Sequence, residues 1–259
     1  MATTIDEYSL STVPVEQLFG ERSLGHATGF IWKSPVHRCY LVTNWHVVTC
    51  RNFETGNNLR CDGGRPDRFR LLINPRRREF DKIRREISIV DEDGNPLWLV
   101  HPIKNVDVAL VPLPFGLDDN AISLYPINTL TKHPLSVQVG MDVYILGYPF
   151  GPELPAFPVW KRGSIASEPQ LVRLGRDYLL VDTASRPGMS GAPVIRRSWT
   201  NHVLEDTTSL SLDPKPYTKF IGVYSGRRQT KDPNDAQLGL VWPVSFIEEI
   251  AVAGKRDSY

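Results

Sequence analysis

Ser190 stands in Arg186-Pro187-Gly188-Met189-Ser190-Gly191-Ala192-Pro193-Val194, a Gly- and Pro-rich turn between two apolar, strand-like runs. A serine hydroxyl ionises far above neutral pH, so it attacks only beside a base, and the oxyanion it creates needs donors. Gly188, lacking a Cβ, can turn its N–H together with that of Ser190 into one small space. On its own the nonapeptide equally fits an ordinary turn with a solvated serine. A base and an orienting acid lie upstream. Thr43-Asn44-Trp45-His46-Val47-Val48 puts His46 after the apolar run Tyr40-Leu41-Val42, and Asn105-Val106-Asp107-Val108-Ala109-Leu110-Val111 puts Asp107 at the head of another. Alone, each reads as a core histidine or a turn aspartate. Together, in the order His, Asp, Ser, they match one arrangement of the triad used for acyl transfer, which is recognised by roles rather than by position.

The elements that must position these residues read as short strands rich in Val, Ile, Leu, Tyr and Phe, punctuated by Gly, Pro, Asn and Asp. In the first half they fall at 30–32, 38–43, 69–73, 87–90, 97–100 and 108–113, with an Asp-Gly hairpin turn at 91–95 and a short helical turn at 15–19. Residues 114–134 read as an irregular crossing. The pattern restarts at Val137 and continues through 143–146, 159–166, 170–174, 178–181, 192–196, 220–224 and 238–241, with a polar surface insertion at 199–219. Pro243 then opens a short amphipathic helix carrying Phe246, Ile247, Ile250 and Ala251.

From about residue 25 onward the chain resembles the trypsin-like serine peptidases, most closely their bacterial HtrA-like branch. The resemblance rests on Gly25-His26-Ala27-Thr28-Gly29-Phe30-Ile31, on the His46 and Asp107 segments, and on Leu146-Gly147-Tyr148-Pro149-Phe150-Gly151. It continues through Arg162-Gly163-Ser164-Ile165-Ala166-Ser167, the segment from Asp182 to Pro193, and Gly239-Leu240-Val241-Trp242-Pro243, all in the family's order. It implies an all-β fold of two packed six-stranded Greek-key barrels with a short C-terminal helix. Residues 1–22 would form an N-terminal extension, 23–125 the barrel carrying His46 and Asp107, and 126–259 the barrel carrying Ser190.

The implied activity is that of a serine endopeptidase, with Ser190 as nucleophile, His46 as base and acid, and Asp107 orienting the ring. The N–H groups of Gly188 and Ser190 would form the oxyanion hole. By the family's spacing Ala184 lies at the base of the substrate pocket, with Ser225, Gly226 and Arg227 along its wall. An uncharged base implies small or apolar P1 side chains, while Arg227 or Arg228 could instead attract an acidic one. Asp182 could shape the pocket or simply end a strand. Met189 departs from the family, which has aspartate or asparagine before the serine, and this leaves room for a resting state that an activating partner relieves. Ala192 replaces a common glycine. The peptide-binding domain that often follows the protease in this branch is not expected here.

The formal charge of +1 and a pI near 7.7 give no bulk field for nucleic acid or a membrane surface. The cation-rich run from Arg76 to Arg85 has interleaved acids and reads as a solvated loop. No stretch approaches the ~18 apolar residues of a spanning helix, and residues 1–20 do not read as a secretory signal. The three cysteines, Cys39, Cys50 and Cys61, point to free thiols and a cytoplasmic location, with a Cys39–Cys50 bridge left open. No metal-ligand spacing is present, and neither metal nor organic cofactor is expected. Gly188-Met189-Ser190-Gly191-Ala192 approaches a nucleophile elbow, but that fold needs an acid and then a histidine downstream, and only His202 follows. Protein or peptide substrates are the expected partners. The competing expectation is a catalytically quiet module that binds peptides in the same cleft.

Overall fold

The computed structural model describes residues 5–76, 81–151, 156–184, 186–205, 210–227 and 238–258. A short helix, α1 (Glu7–Ser11), capped by the Asp6 side chain, leads into the first sheet. That sheet contains β1 (Thr12–Phe19), β2 (Arg22–Lys33), β3 (Cys39–Thr43), β4 (Arg68–Pro75), β5 (Ile83–Ser88), β6 (Leu99–Val100), β7 (Ala109–Pro112) and β8 (Ile122–Ser123), with helix α2 (Trp45–Thr49) after β3. Its spatial order is β6-β7-β3-β2-β1-β4-β5, with β8 paired to β4. β5, at one end of this order, and β6, at the other, are consecutive in the chain. They meet where Val90 bridges Pro96 and the Leu97 N–H donates to Ile89 O at 2.9 Å, so the sheet curls round the Asp-Gly turn.

The second half closes fully. The strands β9 (Asp142–Gly147), β10 (Val159–Ile165), β11 (Leu179–Asp182), β12 (Pro193–Ser198), β15 (Tyr217–Arg227) and β16 (Leu238–Pro243) form one barrel in the order β10-β11-β16-β15-β12-β9. A small hairpin, β13 (His202–Val203) with β14 (Leu210–Ser211), occupies the polar insertion. Helix α3 (Gln170–Arg173) lies between β10 and β11, and helix α4 (Val244–Ala253) follows β16. The chain finishes with β17 (Lys255–Arg256) pairing back onto β6 of the first sheet.

Strand alternation explains why so many segments are apolar throughout. On β2, Ala27 and Ile31 enter the core of the first sheet, whereas Phe30 and Trp32 enter a second core between the two halves. Likewise Leu41 on β3 and Val111 on β7 face the first core, and Val42 and Leu110 face the second. From the other half, Val143, Val194 and Val241 fill the closed barrel, while Leu146, Ile195 and Trp242 join the shared core with Phe246, Ile247 and Ile250 of α4. Both strand faces are therefore buried, and each fully buried aliphatic side chain contributes about 1.5–3 kcal/mol. The shared core fixes the angle between the halves, which sets the cleft.

Several expectations change. Residues 15–19 are a strand, not a helical turn: β1 pairs with both β2 and β4, with Val15 and Leu18 in the interior. Pro14 is tolerated because the β4 pairing begins only at Val15. The stretch 170–174 is helical, preceded by Pro169 and ended by Gly175 at φ +103°, a Pro-first, Gly-last signature. The end of the cation-rich run is β5; residues 77–80 lie outside the described residues. All three cysteines are free, Cys39 and Cys50 buried, which decides against the bridge left open above.

Candidate active site

The ladder between β3 and β7 dictates where His46 and Asp107 meet. Thr43 at the end of β3 pairs with Ala109 at the start of β7. The residues just beyond, His46 on α2 and Asp107 before β7, therefore emerge at the same end of neighbouring antiparallel strands. The His46 Nδ1 lies 2.7 Å from Asp107 Oδ2, and the His46 backbone N–H donates to Asp107 Oδ1 at 2.8 Å. A carboxylate only accepts, so Nδ1 carries the ring proton and Nε2 is left as acceptor. Asn44 secures the approach by donating its Nδ2 to the Asp107 carbonyl at 2.7 Å.

Asp107 is fully buried. A buried charge is tolerated when its lone pairs are taken up by donors. Ser225 supplies the third by donating its hydroxyl to Asp107 Oδ2. Ser225 was expected only along the pocket wall, and nothing in its sequence spacing announces this contact.

Ser190 reaches the same place from the closed barrel. The Tyr224 N–H donates to Ala192 O at 2.8 Å and the Gly191 N–H to Tyr224 O at 2.9 Å. This extends the β12–β15 pairing toward Ser190 and Gly226, and a Cβ on Gly226 would sit 3.6 Å from Ser190 Oγ. The Thr28 N–H of β2 donates to Ser190 O at 2.8 Å, tying the turn to the first sheet. A Cβ on Gly191, at φ +82°, would overlap Thr28 O and Thr43 Oγ1, so the turn is pressed against the strand end that leads to His46. Among the described residues no hydrogen bond joins the His46 ring to the Ser190 hydroxyl.

The turn is braced from behind. Thr28 Oγ1 donates to Gly188 O at 2.7 Å while accepting the Tyr148 N–H at 3.1 Å. Gly188, at φ +88°, has no room for a Cβ against Tyr148 O. Met189, the departure from the family pattern, is 1% exposed and packs in the closed barrel's core, its Sδ 2.7 Å from where a Cβ on Gly147 would be. Among the described residues neither the Gly188 nor the Ser190 N–H donates to a protein acceptor. Backbone N–H groups left unused beside a serine are open to a ligand's oxygen.

Of the expected pocket residues, Ala184 is exposed, Gly226 faces Ser190, and Arg227 ends β15. Arg228 lies outside the described residues. Asp182 points away from the barrel interior, opposite to Val181 and Thr183. Sequence reasoning also missed Asp257. Its Oδ2 accepts the indole N–H of Trp45, one residue before His46, at 2.7 Å and that of Trp98 at 3.0 Å.

This chain belongs to the trypsin-like peptidase domain family, whose model matches residues 27–203. Its fold is shared with the active form of the Rv3671c protease from M. tuberculosis, at 18% identity over 97% of this chain and 83% of that chain, with a TM-score of 0.51. The serine endoprotease from Yersinia pestis is similar at 14% identity, over 98% and 68% of the two chains, TM-score 0.50. The HtrA-type protease AlgW with a tripeptide is similar at 16% identity, over 93% and 58%, TM-score 0.50. At these identities the likeness is one of fold. No curated protein matches the sequence.

Proposed function

We propose that the protein is a serine endopeptidase in which Ser190, His46 and Asp107 cut a peptide bond through an acyl-enzyme. The observation that carries this reading is the His46–Asp107 pair, its Nδ1 engaged by the carboxylate, beside a Ser190 turn whose Gly188 and Ser190 N–H groups have no acceptor among the described residues. Ser190 Oγ adds to the substrate carbonyl carbon as its proton passes to His46 Nε2. The Gly188 and Ser190 N–H groups receive the oxyanion, a contribution of about 3–4 kcal/mol per donor in comparable sites. His46 then returns the proton to the leaving amine as the C–N bond breaks. Water attacks the acyl-enzyme with His46 again as base, releasing the acid product and regenerating Ser190. Asp107 stays a carboxylate, orienting the ring and stabilising its charged form.

Peptides are the substrate class of this family, and narrow specificity or control by a partner belongs to this reading because uncontrolled peptide-bond cleavage is hazardous. One observation favours a second reading, a quiet peptide-binding module: His46 and Ser190 are not hydrogen-bonded. Such contacts commonly tighten only once substrate is bound, so the first reading is preferred. A mixture of peptides incubated with the purified chain and followed by mass spectrometry tests it. Cleavage that disappears in Ser190→Ala supports the peptidase; binding without cleavage by the wild-type chain supports the module.

A further inference from the structure

The hydrophobic cluster inside the closed barrel includes Val143, Ile145, Ile165, Val181, Val194 and Val241, and one end of the barrel adds polar groups to it. Ile165, Gly163 and Lys161 alternate along β10, so all three point to the side on which Ile165 enters the core. Leu179, Val181 and Thr183 do the same along β11 and just beyond it. A Cβ on Gly163 would lie 3.0 Å from Thr183 Cβ. The β10–β11 register, Ser164 opposite Asp182, sets Lys161, three residues earlier on β10, toward the chain that follows Thr183. That is the segment leading into the Ser190 turn.

Two polar groups at this end have no partner among the described residues: the buried Lys161 Nζ and the Thr183 Oγ1, on a residue only 6% exposed. Burial lowers the pKa of Lys161, and the nearby Arg186 guanidinium pushes it the same way. A buried ammonium without a partner is costly, and a neighbouring cation raises that cost. No acid of the flanking strands relieves it. Asp182 projects from the opposite face of β11, and Asp142 is engaged by Arg162 at 2.7 Å on the outer side of β10. Gly163, without a Cβ, lets the Asp182 carbonyl and Thr183 pack close against β10, where a Cβ would come within 2.8 and 3.0 Å of them.

We infer that this end of the barrel is the primary specificity pocket of the proposed peptidase and that it accepts an acidic P1 side chain, with Lys161 and Thr183 at its base and Arg186 toward its mouth. A Glu or Asp carboxylate entering past Ala184 takes both orphan donors, pairs the buried ammonium and offsets one of the two positive charges. A small or apolar side chain leaves the ammonium buried and unpaired. This replaces the uncharged base expected from Ala184 and moves the selecting charge from Arg227 or Arg228 to the barrel wall. Lys161 is thus a specificity-determining residue and takes no part in bond breaking.

The inference rests on the peptidase reading, and two measurements separate their failures. With active wild-type protein, a P1 library is expected to be cut after Glu or Asp at least about tenfold better in kcat/KM than after Gln or Leu, equivalent to about 1.4 kcal/mol. Lys161→Met removes that preference while Ser190 still reacts with a fluorophosphonate. Cleavage chiefly after Leu, Ala, Lys or Arg overturns the pocket and leaves the peptidase standing. The second measurement needs no turnover: Ser190→Ala protein is titrated calorimetrically with product peptides ending in Glu or in Gln. Tighter binding of the Glu peptide, lost in Lys161→Met, supports the pocket even if the chain never cuts. Equal binding of both peptides overturns it. Lys161→Met should fold at least as stably as the wild type, since it exchanges an unpaired buried ammonium for an apolar side chain of similar length.

Discussion

Ser225 donates its hydroxyl to the same Asp107 oxygen that holds the His46 ring, so β15 and the histidine's partner acid share one atom. Asp107 belongs to the first sheet and Ser225 to the closed barrel. The contact therefore links the two halves at the point where the proposed chemistry occurs.

Removing that hydroxyl tests the link. Ser225→Ala should cost about 1–3 kcal/mol of stability, because a buried carboxylate loses a donor, and lower kcat by about tenfold or more. Denaturant unfolding and turnover of a cleaved peptide measure the two effects.

The glycines around Ser190 separate folding from access. Gly191→Ala forces a Cβ onto Thr28 O at φ +82°, adding about 1–3 kcal/mol of overpacking to about 1–2 kcal/mol of backbone strain. Gly226→Ala shares the φ of +82° but meets only Ser190 Oγ, at 3.6 Å. It should lose less stability and proportionally more activity. Melting temperatures beside kcat/KM for the two variants make the comparison.

Asp257 clamps the C-terminal strand through the indoles of Trp45 and Trp98. Asp257→Ala should destabilise the protein by about 1–3 kcal/mol, roughly 2–4 °C in Tm per kcal/mol for a chain of this size. Loosening Trp45 also loosens the start of α2, so activity should fall with stability. Calorimetry and tryptophan fluorescence report both.

Lys82 supplies a pH test independent of the cleft. Its Nζ donates to Asn74 Oδ1 at 2.5 Å and lies 4.6 Å from the centre of the Phe157 ring, and burial lowers its pKa from 10.5 to about 8. Between those values the unfolded chain holds a proton that the folded chain has released, so stability contributed by this site rises with pH over that window. The Tm of wild type relative to Lys82→Met should increase from pH 8 to pH 10.5. A flat difference contradicts the assignment.

How much of this was legible in the sequence differs by element. The His46, Asp107 and Ser190 segments could be read because each borders an apolar run whose ends the sheets bring together, as Thr43 opposite Ala109 does. The C-terminal helix and the Asp-Gly turn were readable from local chemistry alone. By contrast β1 looked irregular, since Pro14, Glu16 and Gln17 interrupt its apolar pattern, and only pairing on both sides makes it a strand. Lys161 was hidden for another reason. A single cation in a strand reads as solvent-facing unless alternation is anchored to a residue known to be inside, here Ile165. The contacts of Thr28, Ser225 and Asp257 join residues far apart in the chain and leave no local signal.

The central claim is that Ser190 is made nucleophilic by its surroundings, and covalent labelling tests it most directly. Purified wild-type chain treated with a fluorophosphonate should gain one adduct, mapped to Ser190 by peptide mass spectrometry, with no adduct in Ser190→Ala and a large rate loss in His46→Ala. Absence of labelling in the wild type, with or without a bound peptide, would contradict the account, as would an adduct that forms equally fast without His46.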